Sequence, residues 1–232
     1  MIEPVIIGNA TLYCGDSRFI VPGLNTPCVI ITDPPYGVGI KYGEAYDDSR
    51  KDYWEWLQGA INTFKENLST VIFTHRVTAL KHFTDWDWVG VWNKPGAFGA
   101  RLGNSCVLPH WEPIFMYGIH GAGVKTEYTA DVFTFNPQPA KANISGIGRE
   151  KWKGSQLTDH PCPKPTVLYD QLIKAFAQQT DTVCDPFMGS GTTAISAMNL
   201  GKKFIGIEIE PKYFDIACRR IEDAQRQQRL LP

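Results

Sequence analysis

Six short apolar runs punctuate the chain, each rich in Val, Ile or Phe and each ending in turn residues. They are PCVIITDPPYG at 27–37, STVIFTH from Ser69, VGVWNKP from Val89, EPIFMYG from Glu112, DTVCDPF from Asp181 and KFIGIEIE from Lys203. Unbroken apolar runs of this length predict strands buried on both faces, as in a parallel sheet. Between several of them the period changes. From Asp52 to Asn67, Trp54, Leu57, Ile61 and Phe64 fall three and four residues apart on one helical face. Thr166 to Gln179 repeats the pattern with Leu168, Leu172, Ile173 and Phe176, and Thr192–Leu200 and Lys212–Arg229 are further helical stretches. Strands alternating with helices predict an α/β fold, a mostly parallel open sheet with helices on both faces. Trp54, Trp56, Trp86 and Trp88 are read as packing residues.

The stretch from about Gly118 to Pro165 does not fit. It has neither long periodicity nor a strand series, and it is broken by ten Gly and Pro residues between Gly121 and Pro165. A segment this long without regular structure is usually functional. Composition adds little at first: 232 residues, 43% hydrophobic, 20% charged, formal net charge −1. Such values describe an ordinary globular chain and exclude a histone-like binder or a polyacidic tail. The distribution says more. Pro137 to Lys164 carries Lys141, Arg149, Lys151, Lys153 and Lys164 against Glu150 and Asp159, a net +3, whereas Glu44 to Glu55 carries −3.

The six cysteines form no C-x-x-C pair, so no zinc cluster or other metal site is expected. The start, MIEPVIIGNA, lacks a basic residue before Arg18, and no apolar run approaches the ~18 residues of a membrane span. The expectation is a reduced, cytoplasmic protein without a membrane segment.

Two strings carry candidate chemistry. In DPFMGSGTTAISAMNLG, from Asp185, Gly189 and Gly191 allow a left-handed backbone and close approach of a ligand. Thr192 or Thr193 can cap the helix whose amides then face that ligand. About twenty residues on, the strand KFIGIEIE ends at Glu208 to Glu210, where an acid can accept hydrogen bonds from both hydroxyls of a ribose. A phosphate-cradling P-loop needs Gly-Lys-Ser/Thr, which is missing. A dinucleotide site needs a second βαβ half, for which too little chain remains after Gly191. A plain turn closing a βαβ unit is a third reading, and a nucleoside-bearing cofactor without pyrophosphate fits best. The second string is Asp33, Pro34, Pro35 and Tyr36, at the end of the first apolar run. The prolines donate no hydrogen bonds and leave carbonyls facing outward. A carboxylate beside such a carbonyl offers two acceptors to an amine with two N–H bonds, and Tyr36 offers a flat face to a base. A strand-ending Pro-Pro turn remains the plain alternative.

Together, and in this order, the two strings resemble those of the S-adenosylmethionine-dependent DNA amino-methyltransferases, which methylate exocyclic amines of adenine or cytosine. DPPY at Asp33 is similar to their catalytic tetrapeptide, and DPFMGSGTT to their cofactor loop. GIEIEPKYFDIACRRI from Gly206, HPCPKP from His160 and LYCGDS around Asp16 are similar to further family segments. The likeness covers roughly residues 10–118 and 160–222, in the beta-type order, with catalytic turn before cofactor loop. It implies a Rossmann-like methyltransferase fold divided into a catalytic half (1–117), a small irregular insertion for target recognition (118–159) and a cofactor half (160–232).

The resemblance implies S-adenosylmethionine as cofactor, held by Asp33, Asp185, Pro186, Phe187, Gly189, Ser190, Gly191, Thr192 and Thr193, with Glu208 on the ribose, Asp16 at the adenine edge, and Lys164 and Pro165 as a pocket wall. Asp16 as a helix cap and Lys164 as a solvated charge are the plainer readings. Asp33, Pro34, Pro35 and Tyr36 would be catalytic, acting on a base flipped out of the duplex, with no covalent enzyme intermediate. Arg149, Lys151 and Lys153, with Trp152 among them, are candidate DNA contacts or an ordinary solvated loop. His110 and Trp111 could line the base pocket, with a core His the plainer reading. DPPY points to adenine N6; cytosine N4 is the nearest alternative, a non-catalytic relative a further one. DNA is the expected partner, and the resemblance leaves open a homodimer and a restriction enzyme as others.

Overall fold

The computed structural model describes residues 2–40, 44–68, 70–95, 110–119, 129–135, 164–178 and 180–230, the last three without their side chains. Most of the 118–159 insertion therefore lies outside the described residues, as do Arg149, Lys151, Trp152, Lys153 and His160.

Among the described residues nine strands form one sheet: β1 (Val5–Ile7), β2 (Ala10–Cys14), β3 (Val29–Thr32), β4 (Thr70–Thr74), β5 (Trp88–Asn93), β6 (Trp111–Tyr117), β7 (Val132–Thr134), β8 (Thr182–Asp185) and β9 (Lys203–Glu208). Their order is β1-β2-β9-β8-β3-β4-β6-β5-β7. The central run from β2 to β4 is parallel, β6 runs antiparallel to both β4 and β5, and β1 is antiparallel to β2. Five α-helices among the described residues accompany it: α1 (Ser17–Ile20), α2 (Tyr53–Asn67), α3 (Thr166–Phe176), α4 (Thr192–Asn199) and α5 (Pro211–Leu230).

The all-apolar runs are the buried ones. Every residue of β3 and β8 is buried, and alternate side chains of β3 serve opposite cores. Val29 and Ile31 pack with α3, α4 and α5; Ile30 packs with Leu57, Ile61 and Phe64 of α2. From β3 the chain crosses to β4 on one side, and from β8 it crosses to β9 on the other. Right-handed crossovers moving in opposite directions put their helices on opposite faces, which is why α2 and α4 are separated by the sheet. The point where the direction reverses lies between β3 and β8, the place where open α/β sheets bind ligands at their carboxyl ends.

The pattern missed several elements. β1, β2 and α1 were not anticipated: β2 alternates Ala10 and Leu12 inward with half-exposed residues, so its apolar content reads as sparse. β7 lies inside the stretch expected to lack strands; at three residues, only one of them buried, it has no periodicity to read. By contrast, the strand expected from PCVIIT does end at Thr32, with DPPYG as the turn beyond it. Trp86 and Trp88 are exposed rather than packed, whereas Trp54 and Trp56 lie against the α2 core.

Candidate active site

The two motifs meet at the switch point. Thr32, the last residue of β3, donates its hydroxyl to Asp185 Oδ1 at the end of β8, 2.5 Å away, and both residues are buried. Asp33 and the glycine loop therefore start from adjacent, mutually bonded strand ends.

In the loop, Gly189 and Gly191 both adopt positive φ, 53° and 82°. Gly191 is itself the N-cap of α4, without a side-chain cap, so neither Thr192 nor Thr193 caps the helix as the sequence suggested. Thr193 instead bonds to Asp185, whose carboxyl also accepts from Phe187 N; burial outweighs these bonds and raises it to about 6. Ser190 is gripped by Arg220 of α5 at its carbonyl and, at 2.8 Å, its hydroxyl. Phe187 packs against Phe64 and Trp56. Glu208 ends β9 and folds back over the loop: Oε2 accepts from Gly189 N at 2.8 Å and Oε1 from Glu210 N at 2.9 Å. Burial pushes its carboxyl up to about 7. Each oxygen keeps a free lone-pair direction, so the pair still fits two ribose hydroxyls. Asp16 accepts from Arg18 N as the N-cap of α1 and pairs with the Arg18 guanidinium at 2.6 Å, matching its plainer reading.

The turn after β3 is held from several sides. Asp33 Oδ1 accepts from the Thr74 hydroxyl, lies 2.9 Å from the Tyr36 phenol and 3.4 Å from Lys164 Nζ. Among the described residues nothing bonds to Oδ2. Lys164, expected as a pocket wall, reaches into this cluster and donates to the Tyr36 phenol oxygen at 2.6 Å. Burial raises the Asp33 carboxyl, with Lys164 opposing and Glu112 reinforcing that rise. Asp48, also buried, accepts from the amides of Gly37, Val38 and Ile40 at 2.8, 2.8 and 3.2 Å and fixes the chain just beyond the turn. Beneath it, His75 Nδ1 accepts from Arg76 N, which leaves the proton on Nε2, facing the Tyr53 hydroxyl at 2.6 Å. Tyr53 in turn donates to the Pro35 carbonyl. Burial, aided by Arg76 and Lys164, keeps His75 neutral, down at about 3. Its ring stacks on Tyr36, centroids 4.6 Å apart.

Sequence reasoning missed Thr74, His75, Glu112, Lys94, Tyr53 and Asp48. Thr74 and His75 could have been found, since Thr74 ends β4 and His75 follows it, at the same end of the sheet as DPPY. His110, offered as a pocket or core residue, is exposed at the start of β6. Among the described residues no cluster could hold a metal ion, and no helix is long and apolar enough to cross a membrane.

With this geometry in view, the comparisons with known proteins are specific. The DNA methylase family of N6 and N4 methyltransferases matches residues 28–219. The chain is 37% identical over 262 aligned positions to the DNA adenine methyltransferase YhdJ of Escherichia coli K12, covering 96% of this chain and 86% of that one. Its fold is that of the M1.HpyAVI–SAM complex (TM-score 0.61, 21% identity, 91% of this chain and 98% of that one). It is also that of the cytosine-N4-specific PvuII DNA methyltransferase (TM-score 0.62, 14% identity, 95% and 92%). Both motifs and most of the sheet lie inside the family match, and the chain belongs to the DNA methylase family of N6 and N4 methyltransferases.

Proposed function

We propose that the chain transfers a methyl group from S-adenosylmethionine to adenine N6 in DNA. The observation that carries this reading is the Asp33 carboxylate: Oδ1 is held by Thr74 and Lys164, with the Tyr36 phenol 2.9 Å away, while among the described residues nothing bonds to Oδ2, one bonded strand end away from the glycine loop.

An exocyclic amine is a poor nucleophile because its lone pair is delocalised into the ring. Asp33 Oδ2 and the Pro34 carbonyl would take its two N–H bonds, draw the nitrogen toward tetrahedral geometry and aim the lone pair. Orientation of this kind supplies up to ~7–11 kcal/mol of barrier reduction. The base must leave the duplex to reach this turn. His75 stacks on Tyr36 and the Lys164 ammonium lies over the ring 4.3 Å from its centroid, so a flipped base would stack on what these two leave of the ring. The Asp185–Thr193 loop and Glu208 would hold the cofactor, with Pro165, Pro186 and Phe187 beside it; when bound, S-adenosylmethionine supplies an electrophilic methyl. Asp16 serves α1 as a cap and is a weaker candidate for the adenine edge.

Adenine is favoured by DPPY itself and by the 37% identity to a relative named as an adenine methyltransferase. In this reading 1–117 and 160–232 are two halves of one domain, and the 118–159 insertion, with Arg149, Lys151 and Lys153, contacts DNA. Labelled-methyl transfer to mixed-sequence DNA tests the reading. Wild type should label DNA and Asp33→Ala should not, while still binding cofactor; undiminished transfer by Asp33→Ala would overturn it.

A further inference from the structure

Glu112 belongs to neither motif, yet its carboxylate meets two ammonium groups and a phenol at the site. Its Oε1 pairs with Lys94 Nζ at 2.5 Å, and its Oε2 lies 3.2 Å from Lys164 Nζ and 2.7 Å from the Tyr36 phenol. All four side chains are buried or nearly so, with Lys94, Lys164 and Glu112 side chains 7%, 13% and 14% exposed. The sheet explains the meeting. Because β6 is antiparallel to β4, its beginning lies at the carboxyl ends of the parallel strands, and Thr74 of β4 faces Ile114 just beyond Glu112. On the other side Trp92 pairs with Glu112, and Lys94 N bonds to the His110 carbonyl, so register fixes Lys94 beside it.

We infer that Glu112, anchored by Lys94, is a positioning residue for methyl transfer: it takes the Tyr36 phenol proton and holds the Lys164 ammonium beside Asp33 Oδ1, so that Oδ2 is left for the substrate amine. The inference rests on the reading of Asp33 as the acceptor of that amine. The Tyr36 phenol has one proton and two carboxylate neighbours, and Glu112 is the nearer. The phenol oxygen meanwhile accepts from Lys164. Two carboxylates and two ammonium groups make a neutral buried set. Burial alone would raise the Glu112 carboxyl, but Lys164 and Lys94 bring it down to about 2, so it stays an anion across the working range. Asp33 is thus faced by Lys164 ahead of α3, Glu112 of β6, Tyr36 of its own turn, Asp185 of β8 and Tyr169 of α3, with Lys94 acting through Glu112.

Removing either anchor charge unbalances the set in opposite senses. Glu112→Gln leaves it one charge positive and favours the ionised form of Asp33; Lys94→Met leaves it one charge negative and disfavours that form. The experiment is the single-turnover methyl-transfer rate against pH for wild type, both variants and Asp33→Ala, with cofactor affinity measured alongside. The expected result is a rate about 10- to 100-fold lower in Glu112→Gln, the cost of one charge-assisted bond made in the reacting geometry. Cofactor affinity should stay within about twofold of wild type, since Glu112 touches no part of the glycine loop. The acid limb should move to lower pH in Glu112→Gln and to higher pH in Lys94→Met. A merely structural role moves neither limb. Superimposable profiles in both variants, with Asp33→Ala inactive, overturn this inference alone; an active Asp33→Ala overturns the reading beneath it. If Glu112→Gln does not fold, the upward shift in Lys94→Met still decides.

Discussion

Replacing Thr32 by Val removes one hydroxyl from the bond that joins the two motifs and keeps the side-chain shape. Thr32 and Asp185 are 1% and 2% exposed, so water cannot replace the lost donor. Asp185 keeps Phe187 N at 3.1 Å and the Thr193 hydroxyl. A buried hydrogen bond to a charged group contributes about 1.5–3 kcal/mol. That range should apply at pH 8, where the carboxyl is ionised. Its folded value, about 6, lies above its ordinary 3.8, so its share of stability is complete below pH 3.8 and is lost as pH rises through 6. At pH 5 the folded carboxyl is largely protonated, and a neutral bond of about 1 kcal/mol is what the variant loses. For a chain of this size 1 kcal/mol moves the midpoint by roughly 2–4 °C. Thr32→Val should therefore lower Tm by about 3–12 °C at pH 8 and distinctly less at pH 5. Thermal melts at the two pH values provide the check. An unchanged Tm at pH 8, or a larger loss at pH 5, would refute the claim that this bond fastens the two motifs together.

Cofactor affinity should rise with pH through about 7, because ribose hydroxyls need the Glu208 carboxylate ionised; calorimetric titrations should give a pH-independent, weaker Kd for Glu208→Gln. A flat wild-type profile between pH 6 and 8 would discredit the ribose assignment. Asp48→Ala strands the amides of Gly37, Val38 and Ile40 and should cost about 3 kcal/mol in urea unfolding, with a loss below 1 kcal/mol counting against the anchoring role. Tyr36→Ala should weaken binding to DNA with an extrahelical target base by about 1–3 kcal/mol, while Tyr36→Phe, which keeps the ring, should bind as wild type. Equal binding by all three proteins in a fluorescence titration would remove the stacking role.

The central sheet was legible because its strands are buried on both faces, and such strands read as unbroken apolar runs. Both motifs were legible for a related reason: each follows such a run, so each had to lie at a strand end. What escaped depends on partners far away in sequence. β2 buries only alternate residues, and β7 is too short to show a period. Glu112 is the sharper case. At the beginning of an apolar run it looks like a strand's solvated start, and it becomes part of the site only because β6 runs against β4. Lys164 was read as a wall of the cofactor pocket, and its reach to Tyr36 spans 128 positions that no local pattern encodes. Charge misled in both directions: the total of −1 hid a basic segment, and it hid as well the neutral buried set around Asp33.

The central claim is tested most directly by incubating the protein with mixed-sequence duplex DNA and methyl-labelled S-adenosylmethionine, then hydrolysing the DNA and separating its nucleosides. The account predicts label in N6-methyladenine. Label only in N4-methylcytosine, or none in DNA at all, would contradict it.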